Sequence, residues 1–251
     1  MSKQKNIILF DVDGTIAESS QIIDPEIKEL VSSLKEFYHV GIVGGGKKDK
    51  ILCQLQNLYM NHYFFECGCV YYKNISEDKQ NLSLQNIYSK NIRDHSLYEK
   101  INLLVKECLL FLSKVDYTLS GNFIDLRNGM LYISLIGMSV TNEERQYFIE
   151  KNNKNNYRKQ LLNILLKKAK ELGIQDEVTI CEGGTVGLAI YPVENDKIQV
   201  LEHLQDYKEI HYFGDKYEEN GNDYHLINHR NIIGHKINNY NDTFTILKKY
   251  I

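Results

Sequence analysis

Apolar residues come in short runs divided by polar turns, and the first run is Asn6-Ile7-Ile8-Leu9-Phe10, followed by Asp11-Val12-Asp13-Gly14-Thr15. A run of that length closed by a glycine turn predicts a short buried strand with two acids at its carboxyl end. From Pro25 the spacing changes: Ile27, Leu30, Val31 and Leu34 recur at i, i+3 and i+4 as far as Phe37, which predicts a helix with proline in its first turn. His39–Val43 predicts a second strand, and after Gly44-Gly45-Gly46 a second helix passes through Ile51 and Leu55. Strand, helix, strand, helix in that order predicts a parallel α/β sheet. Such sheets bind ligands beyond the carboxyl ends of their strands, where Asp11 and Asp13 stand.

The middle of the chain has another rhythm. An amphipathic helix is predicted near Leu97–Leu112, then alternating segments at Asn122–Arg127 and Met130–Leu135 flank Asn128-Gly129, a strong hairpin signal. A polar helix around Tyr157–Leu172 precedes strand-like runs at Glu177–Cys181 and Thr185–Tyr191, turned at Gly183-Gly184. Two helices and four antiparallel strands form a separate α+β domain. The first pattern then returns with a helix near Ile198–Leu204 and a strand, Glu209–Phe213, running into Gly214-Asp215. The expected organisation is one sheet domain in two pieces, residues 1–85 and 193–251, with an inserted domain at 86–192.

Composition removes several classes of function. With 43% apolar and 25% charged residues and a net charge of −3, the chain offers no basic face to nucleic acid or to an anionic membrane. No run approaches the roughly 20 apolar residues of a membrane span, and the first residues lack a small-residue cleavage site, so a cytoplasmic location is expected. The five cysteines, at 53, 67, 69, 108 and 181, are odd in number and lack the spacing of a disulfide framework or a zinc site, which predicts reduced thiols.

The acids carry the candidate chemistry. Two positions apart at a strand end, Asp11 and Asp13 would point to one side with Cα atoms roughly 7 Å apart, a span that one cation bridges. Asp215 follows its own apolar strand and supplies a third carboxylate, as a hard ion that keeps several waters requires, and Asn222-Asp223 comes after a further glycine. In that setting Asp11 can attack phosphorus, Asp13 can carry protons, and Mg²⁺ neutralises the pair and the incoming phosphate. Gly41–Lys48 nearly matches a P-loop, but Lys48 stands where serine or threonine should hold Mg²⁺, leaving a glycine-rich phosphate nest of another kind. His225 and His229, four apart, have a surface reading that outweighs a zinc site. Arg127 and Arg145 are phosphate-gripping or ion-paired arginines in equal measure.

With FDVDGT at 10–15, VGGG at 43–46, FIDLRNGMLYISLIG at 123–137, EER at 143–145, IYP, NDK and FGDK with GND, the chain resembles the eukaryotic-type phosphomannomutases of the haloacid dehalogenase (HAD) superfamily nearly end to end. The resemblance implies a Rossmann-like core with an inserted α+β cap, a cytoplasmic homodimer joined cap to cap, Mg²⁺, and transfer of phosphate between the 1 and 6 positions of mannose. By position, it makes Asp11 the nucleophile, Asp13 the acid/base and main-chain metal ligand, Asp215 the further metal ligand and Lys197 the lysine that steadies an aspartyl-phosphate. Arg127 and Arg145 become cap arginines for the distal phosphate, while Gly45 and Gly46 face the transferring group.

Departures from the family fall mostly on recognition. Gly46 replaces a serine or threonine, Ser20 and Met138 replace arginines, Gly187 and Ala189 replace a serine and an aspartate, and His229 replaces an acid. The missing phosphate contacts, roughly 1.5–3 kcal/mol each, weaken the expected hold on a hexose bisphosphate. Two alternatives to a mutase follow: a HAD sugar-phosphate phosphatase with water as acceptor, and a binding protein that keeps the fold without turnover.

Overall fold

The computed structural model of the chain describes residues 6–78, 81–219 and 221–249. Two compact units form, one from residues up to Lys90 together with those from Asn195 onward, the other from Asn91–Glu194. The first unit begins with β1 (Ile7–Phe10), α1 (Pro25–Leu34), β2 (His39–Val43), α2 (Lys48–Gln54), β3 (His62–Phe65), β4 (Val70–Asn74) and β5 (Leu84–Ser89). The second holds α3 (Tyr98–Leu112), β6 (Ile124–Leu126), β7 (Leu131–Ser134), α4 (Asn142–Asn155), α5 (Tyr157–Glu171), β8 (Val178–Gly183) and β9 (Gly187–Pro192). The first unit resumes with β10 (Ile210–Gly214), α6 (Tyr224–Ile227), β11 (Ile233–Lys236) and α7 (Tyr240–Leu247).

The sheet of the first unit runs β11-β10-β1-β2-β3-β4-β5. Its pairings are parallel from β11 through β3 and antiparallel at β4 and β5, so the parallel sheet is extended by a hairpin edge. Because β5 pairs along β4, this unit continues to Lys90. β1 is central and buried on both faces, as parallel strands are. Ile8 and Phe10 pack with Ile27, Val31 and Leu34 of α1 and Leu247 of α7. Ile7 and Leu9 pack on the other side with Val200, Leu226 and Ile227. Pro25 opens α1, and the Asp24 side chain caps it by accepting from Glu26 N at 2.8 Å.

In the second unit the antiparallel sheet runs β6-β7-β9-β8. Leu131, Ile133, Leu188 and Ile190 bury one face against Ile101, Leu104 and Cys108 of α3 and Leu161, Leu165 and Ala169 of α5. The other face carries Asp125, Tyr132, Ala189 and Cys181 opposite one another across the four strands.

Two sequence expectations are corrected. This unit has three helices where two were expected: α4 is polar on most sides, so periodicity hides it, but a capping box of Thr141 and Glu144 starts it and left-handed Asn156 (φ 57°) separates it from α5. The expected helix near Ile198–Leu204 is a 3₁₀ stretch, Lys197–His203, capped by Asp196.

Candidate active site

β1 and β10 are parallel neighbours in register, Phe10 beside Phe213, and Asp11 N donates to Phe213 O at 2.9 Å. Asp11 and Asp215 therefore leave adjacent strands side by side at their carboxyl ends. Asp223, on the loop entering α6, completes a cluster in which each carboxylate offers an oxygen within 4.8 Å of the others. Two glycines make room. A Cβ on Gly14, whose φ is +90°, would lie 2.5 Å from Asp215 Oδ2, and one on Gly214 would lie 2.7 Å from Asp223 Cγ.

Behind the cluster lies Lys197, fully buried, the first residue of the 3₁₀ stretch. Its Nζ donates to Asp11 Oδ1 at 2.5 Å, to Asp223 Oδ1 at 2.7 Å and to the Tyr212 hydroxyl at 3.3 Å. Tyr212 donates in turn to Asp223 Oδ1, and Asp223 Oδ2 accepts from Lys216 N at 2.9 Å. Both oxygens of Asp223 are thus engaged within the protein. The Asp215 side chain is 7% exposed, with Oδ2 held 2.5 Å from Lys216 Nζ and Oδ1 buried without a hydrogen-bond partner.

Burial raises Asp11 to about 7, against the pull of Lys197 and with the repulsion of Asp223 and Asp215. Lys197 is raised well above its ordinary value because Asp11 and Asp223 outweigh its burial, so it stays an ammonium. Burial also raises Asp215, with Lys216 opposing. Lys197 serves Asp11 and Asp223, and Lys216 reaches only Oδ2 of Asp215, so Asp215 Oδ1 stays buried without a donor beside the other two acids. Hard oxygen donors of this kind fit Mg²⁺, and among the described residues this is the one acidic or histidine cluster of metal-binding size.

The Asp13 carboxylate does not join the three. The extended strand ends at Phe10, and Gly14 turns the chain back so that its N–H donates to Ala17 O at 2.7 Å; the period-two geometry expected of Asp11 and Asp13 stops there. Asp13 accepts instead from Ser20 N at 2.7 Å, Gln54 Nε2 at 2.9 Å and Lys50 Nζ at 3.3 Å. Burial raises it, but Lys50 with these hydrogen bonds outweighs burial and holds it below the usual carboxylate range.

Gly44, Gly45 and Gly46 link β2 to α2 at the same end of the sheet. Cys67 N donates to Gly44 O at 3.0 Å and Glu66 N to Gly46 O at 3.1 Å. Glu66, Cys67 and Gly68 all have positive φ, a left-handed turn that grips this loop. A Cβ on Gly45 would lie 3.8 Å from Cys67 Sγ and 3.9 Å from Asn222 Nδ2, and Asn222 Oδ1, like Thr15 Oγ1 and Gln54 Oε1, is buried without a hydrogen-bond partner.

Arg127 and Arg145 belong to the second unit, where both act on the Tyr132 phenol. Arg127 lies over its ring at 4.9 Å and donates through Nε to Asp125 at 2.8 Å; Arg145 reaches Thr185 Oγ1 at 3.4 Å. Burial raises the phenol, and Arg127, Arg145 and Arg158 oppose that. Tyr132 also accounts for a departure: a Cβ on Gly187 would lie 2.5 Å from its Cζ and hydroxyl and 2.4 Å from Ile133 O. A serine has no room there. Met138 is exposed and Ala189 stands opposite Tyr132.

His225 and His229 share no helix face, since α6 ends at Ile227; His225 pairs with Asp196 at 3.1 Å. Sequence reading gave no role to Asp223 beyond its glycine-led loop and overlooked Tyr212. An acid eight residues after Asp215 in the same loop was a weak signal for the first, and a tyrosine inside an apolar strand was none for the second.

A family model described as eukaryotic phosphomannomutase matches residues 27–251. Among curated relatives, "Phosphomannomutase" of Dendrobium officinale is 33% identical over 94% of this chain and 90% of its own length, and "Phosphomannomutase 2" of Dictyostelium discoideum is 34% identical over 92% and 91%. Solved structures share the fold at low identity. Plasmodium falciparum IMP-nucleotidase aligns at TM-score 0.66 and 16% identity over 98% of this chain and 68% of that one. A trehalose-6-phosphate phosphatase related protein aligns at 0.56 and 15% over 97% and 96%.

Proposed function

This chain belongs to the eukaryotic phosphomannomutase family, within the HAD superfamily, and is a phosphotransferase of phosphomannomutase type; we propose that it interconverts mannose 6-phosphate and mannose 1-phosphate through an aspartyl-phosphate on Asp11. The observation that carries this reading is the buried Lys197 ammonium 2.5 Å from Asp11, with Asp215 beside them. Asp11 attacks phosphorus; the new carboxylate O–P bond forms as the bond to the sugar oxygen breaks. Asp13, ionised at rest beside Lys50, Gln54 and Ser20, takes the proton of the sugar hydroxyl that attacks the phosphoenzyme and gives that same proton to the sugar oxygen that leaves when Asp11 takes up the other phosphoryl group. Lys197 holds the charge that passes from Asp11 to the phosphoryl oxygens. Mg²⁺, bound by Asp11, Asp215 and the main-chain carbonyl of Asp13, would supply positive charge beside the transferring group. Gly45 and Gly46 bring main-chain N–H groups to that group, and Arg127 and Arg145 take the substrate's second phosphate.

The full reading is a cytoplasmic homodimer joined through the inserted unit. The crowding of Gly187 by Tyr132 favours a second reading, a sugar-phosphate phosphatase that shares the Asp11 step but passes the phosphoryl group to water. One screen of hexose monophosphates with Mg²⁺, with and without a hexose bisphosphate activator, separates them. Hexose 1-phosphate is the expected product; free phosphate alone selects the second reading. Asp11→Asn should fold and turn over nothing, and activity surviving in that variant refutes both.

A further inference from the structure

Tyr212 is a fully buried tyrosine in the middle of β10, paired in register with Leu9 of β1. Its ring packs with Ile7, Leu9, Val200 and Leu226, a place that phenylalanine fills equally well. The hydroxyl is the only part of the side chain that the apolar packing does not explain. It stands at one corner of a triangle with Lys197 Nζ and Asp223 Oδ1, accepting from the first and donating to the second.

An ammonium has three N–H donors, and Lys197 finds three acceptors on three elements: Asp11 after β1, Tyr212 within β10, and Asp223 before α6. Two of those acceptors are carboxyl groups and pull in competition. Asp223 is further tied down by Lys216 N, so it cannot follow Lys197 if the lysine moves.

We propose that the Tyr212 hydroxyl is a positioning group for phosphoryl transfer: as a neutral third acceptor for Lys197 and a donor to Asp223, it balances the pull of Asp223 and keeps the lysine on Asp11. This rests on Asp11 as the nucleophile. Without the hydroxyl, one N–H of a buried ammonium has no acceptor and Asp223 Oδ1 loses a donor. Lys197 recovers both losses by closing on Asp223, which draws it from Asp11. The lysine is needed most as charge moves onto the phosphoryl oxygens, so the loss falls on turnover more than on substrate binding.

The test is Tyr212→Phe, which keeps the ring, compared with the unmodified protein in calorimetric titrations of beryllofluoride with Mg²⁺, a mimic of the aspartyl-phosphate. Affinity should fall about tenfold, which corresponds to about 1.4 kcal/mol. On whichever hexose phosphate turns over, kcat should fall by a similar factor while KM stays within twofold, a split that loosened packing does not produce. In a Lys197→Met background Tyr212→Phe should change beryllofluoride affinity less than twofold, because the hydroxyl acts through the lysine. The inference is overturned if the single variant keeps affinity and kcat within twofold of the unmodified protein, or if its loss persists undiminished without Lys197. Absence of beryllofluoride binding by the unmodified protein overturns the nucleophile reading and this inference with it; binding that is insensitive to Tyr212→Phe overturns this inference alone.

Discussion

A buried carboxylate oxygen without a donor, as Asp215 Oδ1 is, destabilises the folded chain until a cation reaches it. Mg²⁺ should therefore raise the melting temperature. At a hundredfold excess over its dissociation constant the gain is about 2.7 kcal/mol, or about 5–10 °C for a domain of this size. Asp215→Asn should abolish most of that rise in thermal melts with and without Mg²⁺; an undiminished rise would place the ion elsewhere. Gly14→Ala should act on the same atoms from the other side, since its Cβ would enter the space of Asp215 Oδ2 at a φ of +90°. We expect a lower melting temperature and a smaller Mg²⁺ response from that variant than from Asp13→Ala, whose carboxylate lies apart. Asp11 and Asp215 were legible in the sequence because each ends an apolar run with a glycine close by, Gly14 three residues after the first and Gly214 just before the second. Asp223 and Tyr212 were not, because their place depends on the pairing of β10 with β1 and on the gap left by Gly214, neither of which a linear pattern contains.

At the scale of elements, the start of β3 carries a group whose titration opposes the fold. His62 is buried, with Nδ1 bonded to the Tyr71 hydroxyl at 2.7 Å and Nε2 to the Tyr207 hydroxyl at 2.6 Å. Burial above all, with the repulsion of His39, Lys73 and His203, lowers it to about 3. The unfolded value is roughly 6.5, so its contribution to stability is whole above that pH and is lost as the pH falls toward the folded value. His235, lowered by burial to about 4, adds a loss of the same sign. Asp11, raised to about 7, changes stability in the opposite sense over pH 7.5 to 5, so the histidine loss is read as a difference in slope between variants. His62→Gln should melt lower at pH 7.5 yet lose less over the same range, and equal slopes would exclude His62 as the source. Legibility followed chemistry here too. Helices with a wet and a dry side, such as α1 and α3, announced themselves, as did the Asn128-Gly129 hairpin. β3 went unread although its Tyr63-Phe64-Phe65 is a continuous apolar run like that of β1, and α4 escaped because it buries only Phe148.

For the whole molecule, oligomeric state is the first quantity to measure. Leu103, Leu109 and Leu110 lie exposed on α3, at 37%, 47% and 53% of their full accessible area. A homodimer through the inserted unit should give twice the mass of one chain in equilibrium sedimentation, and Leu110→Glu should shift it toward the monomer without lowering the helix content. A dimer indifferent to that change would use another face. In the sheet, β1 lies between β2 and β10, a strand made some two hundred positions later. During translation the inserted unit can close on its own local hairpins while β1 waits with one edge unpaired. Lys197, Tyr212, Asp215 and Asp223 all emerge after that wait, so a chain halted at residue 194 would hold Asp13 among Ser20, Lys50 and Gln54 but leave Asp11 without the lysine and the acids that give it chemistry.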